Sequence, residues 1–265
     1  MEGNVVSSKG RRSEILQILK KDSNVSVSEL SKRFGVSEVT IRKDLNLLKD
    51  RNLLVRTRGG AITSDSGPAE NEMSIRFKKL AHYREKRAIG RAAAELIKDG
   101  DTIIIDSGTT ALQVACFLHK FQNLTILTNA LNVAQELLSY KRFNVIFLGG
   151  YIRNSSESVV GAIAESNLKM FYCDKLFIGV DSINAENGLS TPSIEEANIN
   201  QIMIQRSRKV VAVFDSSKVN KRALAFISTL DNIDTVVTDD GIDKSTRSQF
   251  KAKGVEVIVV RPDPA

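Results

Sequence analysis

From residue 100 onward, short runs of Val, Ile and Leu recur with no polar alternation: 102–105 (TIII), 124–128 (LTILT), 143–148 (FNVIFL), 175–180 (KLFIGV), 209–214 (KVVAVF), 234–238 (DTVVT) and 255–260 (VEVIVV). A strand that is apolar on both faces has no side to give to water and must be covered twice. Between the runs, 109–119, 130–140, 162–170, 193–207 and 244–253 have helical length and composition. Strands alternating with helices predict an α/β domain built on a mainly parallel sheet. Ligands of such sheets bind beyond the carboxyl ends of the strands. The residues that follow each run are therefore the ones to read for function.

Asp106, Ser107, Gly108, Thr109 and Thr110 follow the first run and lead into a helix. Unpaired N–H groups and the helix dipole at such a start attract an anion. Asn129 follows the second run, and Gly149-Gly150 the third, where backbone can approach a ligand closely. Asp181 follows the fourth, Asp215-Ser216-Ser217-Lys218 the fifth and Asp239 the sixth. Lys218 can meet a phosphate as a point charge. A helix cap, a turn or a solvated lysine explains any one of these alone. Their convergence on one sheet edge favours a binding cleft, with an anion as its ligand.

The first sixty residues are of another kind. They carry 13 Lys and Arg against 7 Asp and Glu, a net of +6 out of +7 for the whole chain. Charge concentrated at one end is the footprint of a nucleic-acid-binding module beside a neutral domain. Ile15, Leu16, Ile18 and Leu19 form the apolar stripe of a helix over 12–20, closed by the turn formers Asp22-Ser23-Asn24. Ser26 and Glu29 have capping-box spacing and open a short helix that ends at Gly35. Ser37 caps a third helix with Ile41, Leu45 and Leu48 as its buried stripe. Helix, glycine turn and helix make a helix-turn-helix, whose second helix enters the major groove by its N-terminal residues. Here these are Ser37, Glu38, Val39, Thr40, Arg42 and Lys43. Residues 53–62 alternate and turn at Gly59-Gly60, which predicts a two-stranded wing with Arg56 and Arg58 directed at the DNA backbone or minor groove.

Composition narrows the rest. No stretch approaches the roughly 18 uncharged apolar residues of a membrane span, and the first residues lack the apolar core of a signal peptide. Cys116 and Cys173 are lone thiols in apolar surroundings, which fits a reducing cytoplasm. His82 and His119 have no metal-ligand spacing, so neither a metal nor a cofactor is expected. The segment 63–72 (TSDSGPAENE) reads as a linker, and the charged run 73–87 as a connecting helix that can continue into 88–98. Ile89, Ala92, Ala93, Leu96 and Ile97 give that continuation its apolar face. The expected division is 1–62 for a winged helix-turn-helix, 63–87 for linker and connecting helix, and 88–265 for the second domain.

The run VSVSELSKRFGVSEVTIRKDLNLLKDRNLLVRTRGGAI resembles the DeoR family of bacterial sugar-metabolism regulators. The segments DSGTT, LTNALNVAQEL, LGGYIR, KLFIGVDSI, GLSTPSIEEA and VFDSSK resemble its effector domain. The likeness thus runs from Arg11 to about Val260. It departs at Arg58, where members carry His or Tyr before the paired glycines. The resemblance implies a sugar-phosphate-isomerase-like sensor, a phosphorylated sugar as effector, a double-stranded operator as partner and a homo-oligomer, dimer or tetramer. It places the phosphate near Ser107, Gly108, Thr109, Thr110 and Lys218, and lines the remainder with Asn129, Gly149, Gly150, Asp181, Glu195 and Glu196.

The competing class is an isomerase or deaminase with a DNA-binding appendage. Asp106, Asp181, Glu195 and Glu196 offer carboxylate bases for such chemistry. No histidine stands in a strand-end motif, where the similar deaminases use one, and this disfavours deamination. The reading that results is a repressor and not an enzyme.

Overall fold

A computed structural model describes residues 8–22, 24–50, 53–57, 59–63 and 75–262. The contacts divide the chain into two units, Met1–Glu72 and Met73–Ala265.

In the first unit, α1 (Ser8–Asp22), α2 (Val27–Phe34) and α3 (Glu38–Asp50) enclose Ile15, Leu19, Leu30, Ile41, Leu45 and Leu48. These are the stripes that helical spacing predicts. Asp44 lies in the same stripe of α3 and is only 4% exposed. It is tolerated there because Arg11 Nε of α1 reaches its Oδ2 at 2.6 Å, and Arg12 Nη1 stands 3.7 Å from Oδ1. The wing is β2 (Leu54–Thr57) and β3 (Gly60–Thr63), paired antiparallel with Thr57 opposite Gly60. The sheet has three strands and not the two expected, since β1 (Asn24–Ser26) pairs with β3 on its other side. Three residues are too few to show an alternating pattern, so this strand reads as a turn. Gly60 also has a different task from the expected turn. A Cβ there would lie 1.8 Å from the Val25 carbonyl oxygen, so it is β1 that demands glycine.

The second unit is built on seven parallel strands. They are β4 (Thr102–Ile105), β5 (Thr125–Thr128), β6 (Asn144–Phe147), β9 (Cys173–Gly179), β12 (Ser207–Val213), β14 (Thr235–Asp239) and β15 (Glu256–Val260), in the order β15-β14-β12-β9-β4-β5-β6. Successive residues enter opposite cores. Ile103, Ile105, Phe177, Val211 and Val213 join one, with Ile89 of α5 (Tyr83–Ala94), Val114 of α6 (Thr109–Cys116) and Val133 of α7 (Leu131–Leu138). Ile104, Leu176, Ile178 and Ala212 join the other, with Leu168 of α8 (Ala162–Leu168), Met203 of α9 (Ile194–Gln205) and Phe250 of α10 (Lys244–Ala252).

The chain runs outward from β4 through β5 to β6, then returns to β9 on the other flank of β4. The strand order therefore reverses between β4 and β9. Two small antiparallel sheets decorate the carboxyl edge: the hairpin β7 (Tyr151–Arg153) with β8 (Ser158–Val160), and β10 (Ser182–Asn184) with β11 (Gly188–Thr191) and β13 (Ala225–Ser228). The boundary expected at residue 88 falls inside α5. The sensor unit takes in α5 whole and, before it, α4 (Ile75–Leu80). Of the expected linker 63–72, residues 64–72 lie outside the described residues, as do 73 and 74 of the expected connecting helix.

Removing one partner of a buried ion pair strands the other, at a cost of about 3–5 kcal/mol, whereas apolar replacement of both is near neutral. Asp44→Ala should accordingly lower the calorimetric transition of the first unit, and Arg11→Met with Asp44→Leu should restore it. Equal melting of Asp44→Ala and wild type would show that the pair contributes nothing.

Candidate functional sites: an exposed recognition helix and a lysine-lined cleft

In the first unit, local bonds set the turn between α2 and α3. Ser26 Oγ accepts from Glu29 N at 3.1 Å and starts α2. Gly35 ends it in the left-handed region at φ 63°. Ser31 Oγ then donates to the Val36 carbonyl at 2.6 Å. Ser37 Oγ accepts from Thr40 N at 3.3 Å, capping α3. On the outer face of α3, Ser37, Glu38, Val39, Arg42 and Lys43 are exposed and Thr40 is half-buried. Two of the expected DNA-contacting arginines are already engaged. Arg42 Nη2 pairs with Glu38 Oε2 at 2.7 Å, and Arg56 Nη1 donates to the Gly60 carbonyl at 3.0 Å. Arg58 lies outside the described residues.

In the second unit, a cleft opens at the reversal between β4 and β9. Asp106 to Thr110 line it after β4, Gly179 to Asp181 after β9, and Lys218 after β12. Gly108 is the N-cap of α6 with φ 103° and has no side chain with which to cap it. No cap side chain satisfies the start of that helix, and Gly108, Thr109 and Thr110 line the cleft, an arrangement that favours an anion. Gly179 N donates to Asp106 Oδ2 at 3.2 Å across the two strand ends. A Cβ on Gly179 would come within 2.8 Å of the Ser107 carbonyl, so glycine lets the two loops close on each other.

The expected Glu196 also lines the cleft, accepting from Thr191 Oγ1 at 3.2 Å and standing 3.6 Å from Arg153 Nη1. Four expected residues do not line it. Asn129 is fully buried and donates to the Val159 carbonyl at 3.2 Å, holding the β7–β8 hairpin. Gly150 is needed for close packing, since a Cβ there would sit 2.8 Å from Val159 Cγ1. Gly149 precedes it at the edge strand β6. Glu195 is exposed and accepts from Ser193 Oγ at 2.8 Å within its own helix start. The strand-end rule takes no account of distance from the reversal point, and β6 lies three strands from β9.

The cleft also holds groups that the sequence reading left out. Ser155 and Ser156 enter from the hairpin tip, Thr191 from β11 and Asn200 from α9. Lys78 of α4 and Lys86 of α5 join Lys218, giving three ammonium groups along one cleft. Lys86 had a signal. It continues the buried stripe of Ile89 and Ala93 at helical spacing, and a lysine on an apolar stripe needs a reason.

Charges in this wall perturb one another. Burial pushes the Asp106 carboxyl up to about 7, and the neighbouring Glu196 charge adds to the effect. Asp106 Oδ1 is buried with no hydrogen-bond partner. Burial also lowers Lys86, to about 8, against the pull of Asp215. Burial lowers Lys218 too, against the attraction of Asp181. Asp181 moves the other way. Burial alone would raise it, but Lys78 Nζ at 2.7 Å from its Oδ1 outweighs that and holds it below the usual carboxylate range. Among the described residues no group of His, Cys, Asp and Glu is placed to hold a metal ion, and no helix is long and apolar enough to cross a membrane.

Comparison with known proteins places both units. Residues 11–67 match the DeoR-like helix-turn-helix domain, and residues 81–240 the DeoR C terminal sensor domain. The chain is 38% identical over 259 residues to a putative aga operon transcriptional repressor of Escherichia coli O157:H7, covering 98% of this chain and 96% of that one. It is 34% identical over 229 residues to the glycerol-3-phosphate regulon repressor of Escherichia coli (strain K12), covering 86% and 90%. Ribose 5-phosphate isomerase A from Methanocaldococcus jannaschii aligns with a TM-score of 0.39 at 16% identity, over 54% of this chain and 56% of that one. Both domain types match in order, and the relatives align over nearly their whole length, so the chain belongs to the DeoR family of transcriptional regulators.

Proposed function

We propose that this protein represses a sugar-utilisation operon by binding its operator, and that a phosphorylated sugar in the sensor cleft relieves the repression. The observation that carries the sensor half is the meeting of an open helix N-terminus with Lys78, Lys86 and Lys218 at the strand-order reversal. Helix N–H groups and ammonium ions are complementary to a phosphate dianion. Ser155, Ser156, Thr191 and Asn200 supply donors and acceptors suited to sugar hydroxyls.

The operator half rests on the exposed face of α3. Arg42 has the fork that pairs with guanine, and Glu38, now its partner at 2.7 Å, must be displaced for it to do so. Lys43 belongs with the groove-facing residues of α3, and Arg56 and Arg58 are assigned to the DNA backbone or minor groove. A helix-turn-helix reads paired half-sites as a dimer. Exposed Leu138, Tyr151, Ile152 and Ile163 provide apolar surface for a homo-oligomer, dimer or tetramer. Its place is the cytoplasm, with the DNA.

A second reading, an isomerase, draws on Asp106, whose buried, half-satisfied carboxyl titrates near neutrality. Against it, Asp181 and Glu196 are held by cations and hydroxyls and are not poised to move protons. Sugar phosphates incubated with the protein in D2O should gain no carbon-bound deuterium. Deuterium gain at turnover rates would make the protein an enzyme.

Lys218→Ala should weaken binding of the effector sugar phosphate ten- to hundredfold, the loss of a charge-assisted contact of about 1.5–3 kcal/mol. Operator affinity without effector should stay near wild type. Titrations of a sugar-phosphate panel into wild type and variant check this, and equal affinities would take the phosphate away from Lys218.

Arg42→Ala should cost roughly 1–3 kcal/mol in operator binding and relax preference at one base pair. Anisotropy at fixed salt tests it. Unchanged affinity for every operator variant would remove Arg42 from the groove.

An anion bound beside these groups favours neutral Asp106 and protonated Lys86, so binding takes up protons. Effector affinity should fall as pH rises from 7 to 9, through the Lys86 value of about 8. Calorimetry in buffers of different ionisation enthalpy should show net uptake, and heats independent of buffer would contradict it.

A further inference from the structure

The stretch from Ile75 to Lys86 is fastened at the sensor cleft by several contacts, among them Lys79 Nζ, 3.8 Å from Glu157 Oε2 at the hairpin tip. Ile75 N donates to the Ser155 carbonyl at the hairpin tip, at 2.9 Å. Lys78 Nζ pairs with Asp181 Oδ1 beyond β9, at 2.7 Å. Lys86 Nζ donates to the carbonyls of Lys78 and Ala81, the latter at 2.7 Å, and so ties the end of α4 to α5. Ile75, Lys78, Lys86, Ser155 and Asp181 all line the cleft, so a ligand that enters it meets the fastenings themselves. Between α4 and α5 the backbone turns at His82, which lies in the left-handed region at φ 53° without being glycine. Such a residue is held by its surroundings and marks a natural hinge.

We propose that α4 is a ligand-released strap: an anion in the cleft replaces the Asp181 carboxylate as the partner of Lys78, and the segment 75–81 swings free about His82. This rests on the anion-binding reading of the cleft. The exchange is one of charge. Lys78 and Asp181 are partly exposed, 19% and 22% at the side chains, so a competing anion can reach the pair. A dianion placed at the Ser107–Thr110 turn brings a second negative group toward Lys78. It also repels the Asp181 carboxylate, which has no reason to remain once its counter-charge is shared. Residue 75 is the third residue of the sensor unit. Release of 75–81 therefore lengthens the chain between the units, by roughly 10 Å if α4 stays helical and roughly 20 Å if it unwinds. A longer tether lowers the effective concentration of each DNA-binding unit at its half-site. A filled cleft is thereby expressed as weaker operator binding.

Hydrogen–deuterium exchange on the full chain tests this, with inorganic phosphate as the probe and chloride at matched ionic strength as the control. Saturating phosphate should protect 107–112 and speed exchange over 75–81 about tenfold, with β4 and α10 unchanged. Asp181→Asn should show fast exchange over 75–81 with no phosphate present, and Lys78→Met should do the same should the first variant fold poorly. Protection of 107–112 with 75–81 unchanged would overturn the strap and leave the anion site standing. No protection of 107–112 would sink the anion site and the strap with it. Wild-type exchange over 75–81 in a folded Asp181→Asn or Lys78→Met variant would show that the ion pair fastens nothing.

Discussion

A parallel sheet with apolar side chains on both faces can exist in water only between two layers of helix. Most of the sensor unit follows from that requirement. The chain must cross from strand to strand through a covering helix, and right-handed crossovers place α6 and α7 on one face while the chain moves outward from β4. To cover the second face it must come back and continue on the other flank, at β9. That reversal sends the chain to opposite faces after β4 and β9 and opens a cleft at their shared edge, beyond the point where Gly179 and Ser107 touch. The cleft is thus a consequence of covering the sheet twice. The strands on either side of the gap supply Asp106 to Thr110 and Gly179 to Asp181.

What the gap contains is a matter of charge. Three lysines in one concave wall repel each other and lose hydration, which is why burial lowers the values of Lys86 and Lys218. Asp181 relieves part of this, but a carboxylate carries one charge and a phosphate monoester close to two at neutral pH. Burial raises Asp106 to about 7, so near neutral pH it offers the lysines only part of a negative charge. Asp215 offsets Lys86 and Lys218 as well, and an anion taken up as proposed would balance the charge these carboxylates leave.

The strand runs were legible because both-face burial leaves no polar residues to blur them. β4 is Thr102–Ile105, as its run predicts, and the others differ by a residue or two at their ends. The short antiparallel strands β7, β8, β10, β11 and β13 were not legible, since three or four residues with mixed polarity show no period. The same blindness hid β1, whose presence is recorded only in the need for glycine at 60. Among the residues that line the cleft, the loop 106–110, Asp181 and Lys218 were readable from their place after strands near the reversal, whereas Glu196, inside α9, came only with the family resemblance. Asn129 and Gly149-Gly150 satisfy the same rule but follow strands further out, and there they serve the hairpin. Lys78 escaped because α4 is a six-residue helix, half of it charged, and nothing in so short a run says that it lies across a cleft.

The two units each hold an ion pair that joins distant parts of the chain, and burial gives them opposite uses. Arg11 and Asp44 are sealed, at 8% and 5% side-chain exposure, so no solute can compete for either partner. Their pairing fixes α1 against α3 and leaves the recognition face of α3 as rigid as the core beneath it. A DNA-reading surface needs that rigidity, because base contacts tolerate little displacement. Lys78 and Asp181 are two to four times more exposed and line the cleft. Their pair holds only while nothing better is offered to the lysine. A sealed pair yields structure, and an accessible pair beside a charge deficit yields a switch. Which of the two a cation–carboxylate contact becomes is decided by what can reach it, more than by its length, since the two pairs differ by only 0.1 Å.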